Sequence, residues 1–553
     1  MPRPLRLDRC FVLALLTGAA ILPGAAPAWA APLPVIITID AASNRHPISP
    51  LIYGLNFATA DTLRDLRAPI NRSGGNSAST YNWRIEARNT GRDWFFESVP
   101  IASDDRYQYN SRFVETSRDG KALSMLTIPM LGRVAKLDKD GNPLVSFSVS
   151  KYGKQKEADT QGLADAGDGI AADGTAIQND PDDASVPDSP ENAQARVRDL
   201  VRQFGTAGAG GVRYYLMDNE PSLWQTNHRD VHPEGARASE IANKVIAYAR
   251  AVKAVDPSAR IVAPEEWGWA GYHLSGYDQQ YGAAHGLAHL PDRDDEMAGM
   301  DYVPWLLRQW KQAGHPIDVF SLHFYPQGGE FKEDKDPKNA DTPAIELSRN
   351  RSTRVLWDTS YKDPSWINSV VALIPLMRQW VDTYYYPGTP IALTEYNWGG
   401  DTTMNGATAQ ADVLGIFGRE GLDIATRWGT MTPDMPVYKA FKLFRNYDGY
   451  GSGFGTTSIA DIQHDPDQVS SFAALRDRDR VMTIVVINKQ RDQPAEALIP
   501  ISHFAIKGRV EVWQLADNAI SRLDDIGAAN AQIQHTLPAQ SVTLFVLRGA
   551  AQR

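Results

Sequence analysis

The sequence predicts a (β/α)8 TIM barrel packed against a C-terminal antiparallel β-sandwich. Between residues 50 and 447, short apolar runs alternate with longer amphipathic stretches, the pattern of repeated β-α units around a parallel sheet. Beyond residue 447 a glycine-rich segment is followed by runs in which apolar and polar residues alternate, the pattern of an antiparallel sandwich. We therefore assign residues 50–447 to the barrel and residues 448–553 to the sandwich.

Eight apolar runs are candidate barrel strands, and eight is the number that closes a barrel of this type. These runs are Ile52–Phe57, Pro69–Arg72, Met125–Met130, Arg213–Asp218, Ile261–Pro264, Val319–Phe324, Ile391–Thr394 and Ile424–Trp428. Apolar residues at three- and four-residue spacing predict helices between and after them. The predicted helices are Asn192–Phe204, Glu240–Val255, Tyr302–Gly314, Trp366–Tyr384, Thr408–Glu420 and Val437–Tyr447.

Three further segments complete the predicted domain organisation. Gly132–Tyr152 resembles a hairpin that turns at Asp140-Gly141, and Lys156–Pro190 has the composition of a surface loop. Val35–Asp40 alternates like a strand although it precedes the barrel, so residues 31–49 are expected to join the sandwich. Trp305 and Trp310 fall at helical spacing in an amphipathic stretch and are expected in the core.

Residues 1–30 have the features of a secretory signal peptide. A positive segment with Arg3, Arg6 and Arg9 precedes an apolar segment, and Ala28-Trp29-Ala30 has the small-x-small pattern of a cleavage site. We expect cleavage after Ala30, export to the periplasm or the medium, and no membrane attachment afterwards. Cys10 lies in this segment and is the only cysteine, so the mature chain would have no thiol chemistry and no disulfides.

Composition and motifs exclude several classes of function. A net charge of -10 without a run of Lys and Arg leaves no basic surface for nucleic acid. No Ser elbow, zinc helix or phosphate loop is present. The residues thus favour an activity that needs no cofactor.

Two glutamates at strand ends carry the strongest chemical signal. Glu220 follows the fourth candidate strand and Glu395 ends the seventh, so both should lie at the carboxyl end of the barrel, where barrel enzymes keep their active sites. Glycosidic hydrolysis needs such a pair, with one acid for the leaving oxygen and one carboxylate for the anomeric carbon. The placement of this pair after the fourth strand and in the seventh favours an enzyme that retains the anomeric configuration.

Other residues at strand ends are candidates for supporting this pair. Arg72 could keep Glu395 ionised, His323 or Tyr325 could bond Glu395 or a sugar hydroxyl, and Asn219 could bond the sugar 2-hydroxyl. Glu265 and Glu266 also follow a strand, and a substrate-binding role for them stays open, but we do not assign catalysis to either. Trp rings at strand ends are candidate sugar platforms, with Trp428 the first choice; the others are Trp83, Trp267, Trp269 and Trp398.

Several motifs in order carry a resemblance to glycoside hydrolase family 44. They are Arg72-Ser73-Gly74-Gly75-Asn76 with Tyr81-Asn82-Trp83, Gly211 to Tyr215 with Asp218-Asn219-Glu220-Pro221, and Thr394-Glu395-Tyr396-Asn397. The resemblance covers nearly all of the expected mature chain. It implies a retaining endo-β-1,4-glucanase or xyloglucanase and a barrel joined to a sandwich built from both chain ends. It also implies that Glu220 is the acid/base and Glu395 the nucleophile.

The resemblance also bears on metals, partners and alternatives. Some members of the family hold structural metal ions, but no ligand set can be assigned in this sequence, and catalysis is expected to need no cofactor. The expected partner is a polysaccharide such as xyloglucan or another β-1,4-glucan, and we expect a monomer. Two alternatives stay open: the same fold acting on xylan, mannan or arabinofuranosyl branches, and a carbohydrate-binding protein without catalysis.

Overall fold

The structure is a computed structural model that describes residues 31–105, 107–330 and 342–550. The expected signal peptide at residues 1–30 lies outside these residues. Within the described ranges, none of the helices combines the length and apolar character that crossing a membrane requires.

Eight parallel strands close into a barrel, which confirms the predicted fold class. The strands pair in chain order, and the eighth pairs with the first. They are β1 (Gly54–Asn56), β2 (Ile70–Ser73), β3 (Leu123–Ile128), β4 (Tyr214–Met217), β5 (Arg260–Glu266), β6 (Val319–Phe324), β7 (Ile391–Tyr396) and β8 (Ile424–Arg427). Each of the eight candidate strands overlaps an observed one.

Both faces of the barrel sheet are buried, which explains why the sequences of these strands are continuous apolar runs. Every residue of β6 and β7 is buried, as expected for a parallel sheet covered by helices outside and by side chains inside. A cluster of apolar side chains fills the barrel interior, so it is a packed core and not a pore. This cluster comprises Ile70, Met125, Tyr214, Leu216, Val262, Val319, Ala392 and Ile424.

One main helix follows each strand and packs outside the barrel. These helices are Ala60–Asp65, Ser111–Asp119, Pro190–Phe204, Ala238–Lys253, Tyr302–Gln312, Leu373–Tyr384, Met404–Arg419 and Pro436–Arg445. Trp305 and Trp310 are 5% and 0% exposed in the fifth of them, which confirms their predicted place in the core. The sixth begins at Leu373 and not at Trp366 as predicted; Trp366 lies in the preceding loop and is 55% exposed.

The predicted hairpin at Gly132–Tyr152 is wrong in its pairing. Arg133–Ala135 pairs with Ser185–Pro187, and Leu144–Val145 pairs with Glu97–Pro100, so the two arms bind different partners. Asp138 and Asn142 still form the turn around Gly141, whose φ of 83° suits glycine. The turn could be predicted from the local sequence, whereas the partners of the two arms depend on segments that are remote in the chain.

The sandwich is built from both ends of the described chain. A five-stranded sheet contains Leu33–Ile36, Thr38–Asp40, Ala460–Ile462, Ala495–Ser502 and Gln532–Leu537. A seven-stranded sheet contains His46–Pro47, Thr457–Ser458, Val469–Arg476, Val481–Asn488, Val510–Ala516, Ala519–Ile526 and Ser541–Arg548. An apolar core that includes Ile39, Ile484 and Ile499 fills the space between them.

The sandwich packs directly on the barrel through the helix Met404–Arg419. A β-carbon at Gly415 would lie 2.1 Å from the ring of Phe472, so glycine lets the helix approach the seven-stranded sheet. Lys489 of the sandwich bonds Asp412 of this helix at 2.7 Å, and both side chains are almost fully buried. The two parts therefore share one continuous apolar core.

Candidate active site

Glu220 and Glu395 meet at the carboxyl end of the barrel. One carboxylate oxygen of each, together with a ring nitrogen of His323, forms a group in which every atom lies within 4.8 Å of the others. Both glutamate side chains keep some exposure, 13% for Glu220 and 9% for Glu395. Two residues 175 positions apart in the chain thus share one opening to solvent.

A tight turn after β4 places Glu220 beside Glu395 at the carboxyl end of the barrel. Asp218 and Glu220 have φ angles of 66° and 47°, a left-handed conformation that non-glycine residues rarely adopt. The Asp218 carboxylate holds the turn, since it accepts bonds from the backbone N–H of Asn219 at 2.8 Å and from the hydroxyl of Ser79. The N–H of Glu220 donates to the carbonyl of Glu265 at 3.0 Å.

Each carboxylate oxygen of Glu395 accepts a hydrogen bond from a side chain of the site. Nη1 of Arg72 donates to Oε2 at 2.9 Å, and the hydroxyl of Tyr325 donates to Oε1 at 2.6 Å. Both oxygens are therefore held, and hydrogen bonds to the charged form stabilise a carboxylate. The arrangement suits a nucleophile that must stay ionised and aimed.

Glu220 has the opposite electrostatic setting. Burial raises the pKa of Glu220, and the charge of Glu395 adds to this, while the bond from His323 works against it. The ring Nδ1 of His323 lies 2.9 Å from Oε1 of Glu220. A raised pKa favours the protonated form of the carboxyl group, which suits Glu220 to donate a proton.

His323 is held in its charged form by the carboxylates around it. Burial alone would lower the pKa of His323, but the charge of Glu395 and the bonds to Glu220 and Glu265 outweigh it and raise the pKa to about 9. Its Nε2 lies 3.2 Å from Oε2 of Glu265. The ring therefore links the glutamate of β5 to the glutamate that follows β4.

The contacts of Glu265 with the other charged residues of the site were not predicted from the sequence. It is 0% exposed, pairs with Arg72 at 2.9 Å and accepts a bond from Thr394 at 2.7 Å. A register shift between Pro264 and Glu266, with a φ of 61° at Glu265, brings its carboxylate under the site. The signal that could have found it is its place at a strand end, which it shares with Glu220 and Glu395.

Arg72 and His323 lie beneath the carboxylates and do not reach the cleft. Both side chains are 0% exposed. Arg72 bonds Glu265, Glu395, Asn56 and Asn219, and His323 bonds Glu220 and Glu265, so neither side chain is placed to bind the substrate. Tyr325 bonds Glu395 directly, as the sequence suggested it could.

Asn219 is also held by the protein. Its Oδ1 accepts bonds from Arg72 at 3.3 Å and from the N–H of Gly75 at 3.1 Å, while its Nδ2 donates to Asn76 at 3.2 Å. Its residue exposure is only 2%. The amide is fixed beside Glu220, with one N–H already used by the protein.

Trp428 lies on the cleft side of the barrel rim. It follows β8, is partly exposed, and meets Phe57 edge to face at 6.0 Å. A β-carbon at Gly75 would lie 2.6 Å from its ring, and Gly75 in turn bonds Asn219. The Trp428 ring therefore lies next to the part of the cleft surface that Asn219 and Glu220 form.

The other tryptophans predicted as sugar platforms differ in their exposure. Trp83, Trp267 and Trp269 are all partly exposed. Trp267 and Trp269 follow β5, and Trp83 packs against a small aromatic cluster with the Arg84 guanidinium over its ring. Trp398 is wrong as a platform, because it is 1% exposed and packs between Phe324 and the barrel helices with its Nε1 on Ser352. The chain turns inward after β7, so a position next to a strand end did not bring this ring to the cleft.

Glu220, His323 and Glu395 are also the residues whose spacing could suit a metal ion. A histidine ligand must be neutral, but the surrounding carboxylates raise the pKa of His323 to about 9. Arg72 adds a second positive charge 2.9 Å from Glu395. The donor set therefore does not fit a cation.

Comparison with known proteins identifies relatives over the whole described fold. The family model described as glycoside hydrolase family 44 matches residues 87–328. Endoglucanase A of Paenibacillus lautus is 32% identical over 545 residues, which cover 93% of this chain and 72% of that protein.

Two solved structures extend the comparison. CelM2, described as a bifunctional glucanase-xylanase from a metagenome library, is 48% identical with a TM-score of 0.90 over 94% of this chain and 99% of its own. A Paenibacillus polymyxa family 44 xyloglucanase with xyloglucan is 28% identical with a TM-score of 0.75 over 93% of this chain and 100% of its own. The chain belongs to glycoside hydrolase family 44.

Proposed function

We propose that this chain is a retaining endo-β-1,4-glucanase that cleaves internal bonds of β-glucans such as xyloglucan and carboxymethylcellulose. The observation that carries the proposal is the gap between Glu220 and Glu395, whose nearest oxygens lie within 4.8 Å. Retaining glycosidases separate their carboxyl groups by about 5 to 5.5 Å, and inverting ones by about 6.5 to 9.5 Å to admit a water. A distance of at most 4.8 Å between the nearest oxygens favours the retaining arrangement.

The reaction would proceed by double displacement. In the first step Glu395 attacks the anomeric carbon, the glycosidic C–O bond breaks, and Glu220 gives its proton to the departing oxygen. In the second step Glu220 takes a proton from water, the water oxygen bonds the anomeric carbon, and the ester bond to Glu395 breaks. The two inversions together retain the configuration, and Glu220 ends protonated again.

The buried charges under the site support this scheme because they balance in both steps. Before attack, Arg72 and His323 are positive while Glu265 and Glu395 are negative, with Glu220 protonated. In the glycosyl-enzyme, Glu395 is a neutral ester and Glu220 carries the negative charge. The cluster therefore stays neutral while one proton moves, and an uncompensated buried charge is avoided.

Substrate class is supported by the named relatives. The P. polymyxa relative is a xyloglucanase whose structure holds xyloglucan, and CelM2 is described as acting on glucan and xylan. Xylan is therefore the second candidate substrate for this chain. Mannan and arabinofuranosyl branches remain lesser alternatives within the same mechanism.

The test of this function is hydrolysis of purified polysaccharides compared side by side. Xyloglucan and carboxymethylcellulose should release new reducing ends together with a rapid fall in viscosity, the sign of internal cleavage. NMR of the first products should show the β-anomer before mutarotation. Faster cleavage of xylan would favour the second candidate, and an α-anomer or polysaccharide binding without new reducing ends would overturn the proposal.

The alkaline limb of the pH profile should report the raised pKa of Glu220. The acid must be protonated, so kcat/KM is expected to fall as the pH rises through this pKa, which lies above the ordinary glutamic acid value of about 4.3. The bond and charge of His323 lower the pKa of Glu220, so His323→Asn should move the alkaline limb to higher pH. A limb that moves to lower pH in this variant would contradict the assignment.

Glu265 should be a positioning residue, and its neighbour Glu266 provides a matched control. Glu265→Gln removes one anion from Arg72 and His323, so we expect kcat to fall about 10- to 100-fold. Burial raises the pKa of Glu266 to about 8, so it is neutral at pH 6 and Glu266→Gln keeps its charge state. The activity of Glu266→Gln should remain within about threefold of that of the wild type.

Kinetics at pH 6 and the pH profile would separate the two glutamate variants. Loss of Glu265 also removes a bond that raises the pKa of His323, so the profile should change shape in Glu265→Gln. Equal losses in both variants, with unchanged profiles, would show that Glu265 only supports the packing of the site.

We also propose that the chain is exported through residues 1–30 and acts as a monomer. The support for export is the charged, apolar and small-x-small order of this segment. An amino terminus at Ala31 on protein recovered outside the cytoplasm would establish cleavage, and retention of Met1 would contradict it. Light scattering of the purified protein would test the monomer.

A further inference from the structure

A pocket of about 620 Å³ lies at the amino-terminal end of the barrel, on the side remote from Glu220 and Glu395. We call it the basic pocket. Three segments form it: the end of the helix Ala60–Asp65 with the chain that leads to β2, the chain between the helix Ser111–Asp119 and β3, and the turn that follows the helix Pro436–Arg445. Because barrel enzymes keep their active sites at the carboxyl ends of the strands, the basic pocket is separate from the catalytic cleft.

The lining of the basic pocket carries an excess of positive charge. Among the described residues that line it there is no Asp or Glu, and four side chains are basic. They are Arg64, Arg67, Lys121 and Arg445. Arg64 is paired with Asp61, an exposed carboxylate outside the lining. The protein as a whole has a net charge of -10, so the local charge of the pocket is opposite in sign to that of the molecule.

Two of these cations are held by uncharged partners. The guanidinium of Arg67 donates to the carbonyl of Gly451, and Nη2 of Arg445 donates to the carbonyl of Arg67 at 2.6 Å. The Arg445 guanidinium also lies over the ring of Tyr53, 4.7 Å from its centre. Burial lowers the pKa of Arg445, and the charge of Arg67 acts in the same direction. Because like charges at short range repel each other, an oxyanion bound between them would be stabilised.

An exposed aromatic ring lies beside these cations. Tyr450 lines the basic pocket and is 96% exposed. Hydrogen bonds fix the turn that carries it: the N–H of Tyr450 donates to Oδ1 of Asp448 at 2.8 Å, and the N–H of Gly451 donates to Oδ1 of Asn446 at 2.7 Å. Gly451 has a φ of 94°, and a β-carbon there would lie 2.8 Å from Nη1 of Arg67. Glycine therefore lets the Arg67 guanidinium lie directly against the turn that presents the ring.

The combination of cations with an aromatic ring indicates the class of ligand. The C–H face of a sugar ring packs on an aromatic side chain, and a carboxylate pairs with arginine or lysine. A uronic acid residue has both features, whereas a neutral sugar lacks the charge and inorganic phosphate lacks the apolar face. Sites for ligands of this size measure about 300 to 1,000 Å³, a range that includes the 620 Å³ of the basic pocket.

We propose that the basic pocket binds a uronic acid residue of an acidic polysaccharide and so forms a second, non-catalytic carbohydrate site. This site goes beyond the proposed function, because binding there requires no hydrolysis. The carboxylate would lie among Arg67, Lys121 and Arg445, with the sugar ring against Tyr450. A protein anchored in this way would leave its catalytic cleft, at the other end of the barrel, free for a neutral glucan.

The test is calorimetric titration of the full-length protein with trigalacturonate at low ionic strength. Binding should persist when a xyloglucan oligosaccharide is in excess and should weaken as salt is added. Tyr450→Ala should raise the Kd about tenfold, and Lys121→Glu, which places an anion in the pocket, should raise it at least about tenfold. Lys139→Glu is the matched control, because Lys139 is 87% exposed and follows β3, at the other end of the barrel.

Several outcomes would overturn the site and leave the proposed function intact. They are no binding of trigalacturonate by the wild type, displacement of trigalacturonate by the xyloglucan oligosaccharide, and an equal Kd for Lys121→Glu and Lys139→Glu. Binding of inorganic phosphate without binding of trigalacturonate would likewise overturn the uronic acid assignment. Hydrolysis of xyloglucan should be the same in all three variants as in the wild type. A wild type that releases no reducing ends from any glucan would refute the proposed function and not the basic pocket.

Discussion

Glu395→Gly should lower kcat on xyloglucan by about four orders of magnitude or more, and azide should restore part of it. The variant lacks the atom that bonds the anomeric carbon, so the first displacement cannot occur. Removal of the side chain also opens a cavity between Arg72 and Tyr325, where a small anion can attack from the same face. The product should be an α-glycosyl azide, because only one inversion takes place.

The matched control for this result is Glu395→Gln. It fills the same space with a poor nucleophile, so activity should be lost without azide rescue. NMR of the azide product would identify the anomer, and thermal melting would verify that both variants are folded. A β-glycosyl azide from Glu395→Gly, or near-normal turnover by either variant, would remove Glu395 from the role of nucleophile.

Glu220→Ala should have the second-largest effect, and its size should depend on the leaving group. General acid catalysis contributes about 10²- to 10⁴-fold, so hydrolysis of polysaccharides, whose departing alcohol needs a proton, should fall by this amount or more. A dinitrophenyl cellobioside leaves without protonation, so formation of the glycosyl-enzyme should remain fast. Breakdown should then be slow, because no base activates the water.

Pre-steady-state kinetics would test this prediction through a burst of dinitrophenol followed by slow turnover. Azide needs no base, so it should accelerate the slow phase and give a β-glycosyl azide, the opposite anomer to that from Glu395→Gly. Glu220→Gln should show the same burst followed by slow turnover. A loss of equal size for good and poor leaving groups would mean that Glu220 does not act as the acid.

Residues at the ends of parallel strands were predictable because they depend on a local signal. Glu220, Glu395, Arg72 and Tyr325 each end or follow an apolar run, and strands of one barrel deliver such residues to the same face. Their mutual contacts follow once the barrel is closed. Trp428, after the last strand, was predictable on the same basis.

Other features required contacts between remote segments. The inward direction of Glu265 depends on a register shift against β6, and Trp398 enters the core because the chain turns after β7. The arms beside Asp140-Gly141 pair with strands elsewhere in the chain. Trp366 was expected in a helix, and only the structure shows that it lies exposed in the loop before Leu373.

The sequence by itself determined the barrel and sandwich, the carboxylate pair and the family, because strand periodicity, strand-end residues and ordered motifs are all local properties of the chain. Only the tertiary structure decided which carboxylates touch, which histidine and arginine neutralise them, and which tryptophans face the cleft. Those properties depend on side-chain direction, register and burial. A change of one residue in register turns a side chain from the cleft into the core, and no local pattern records it.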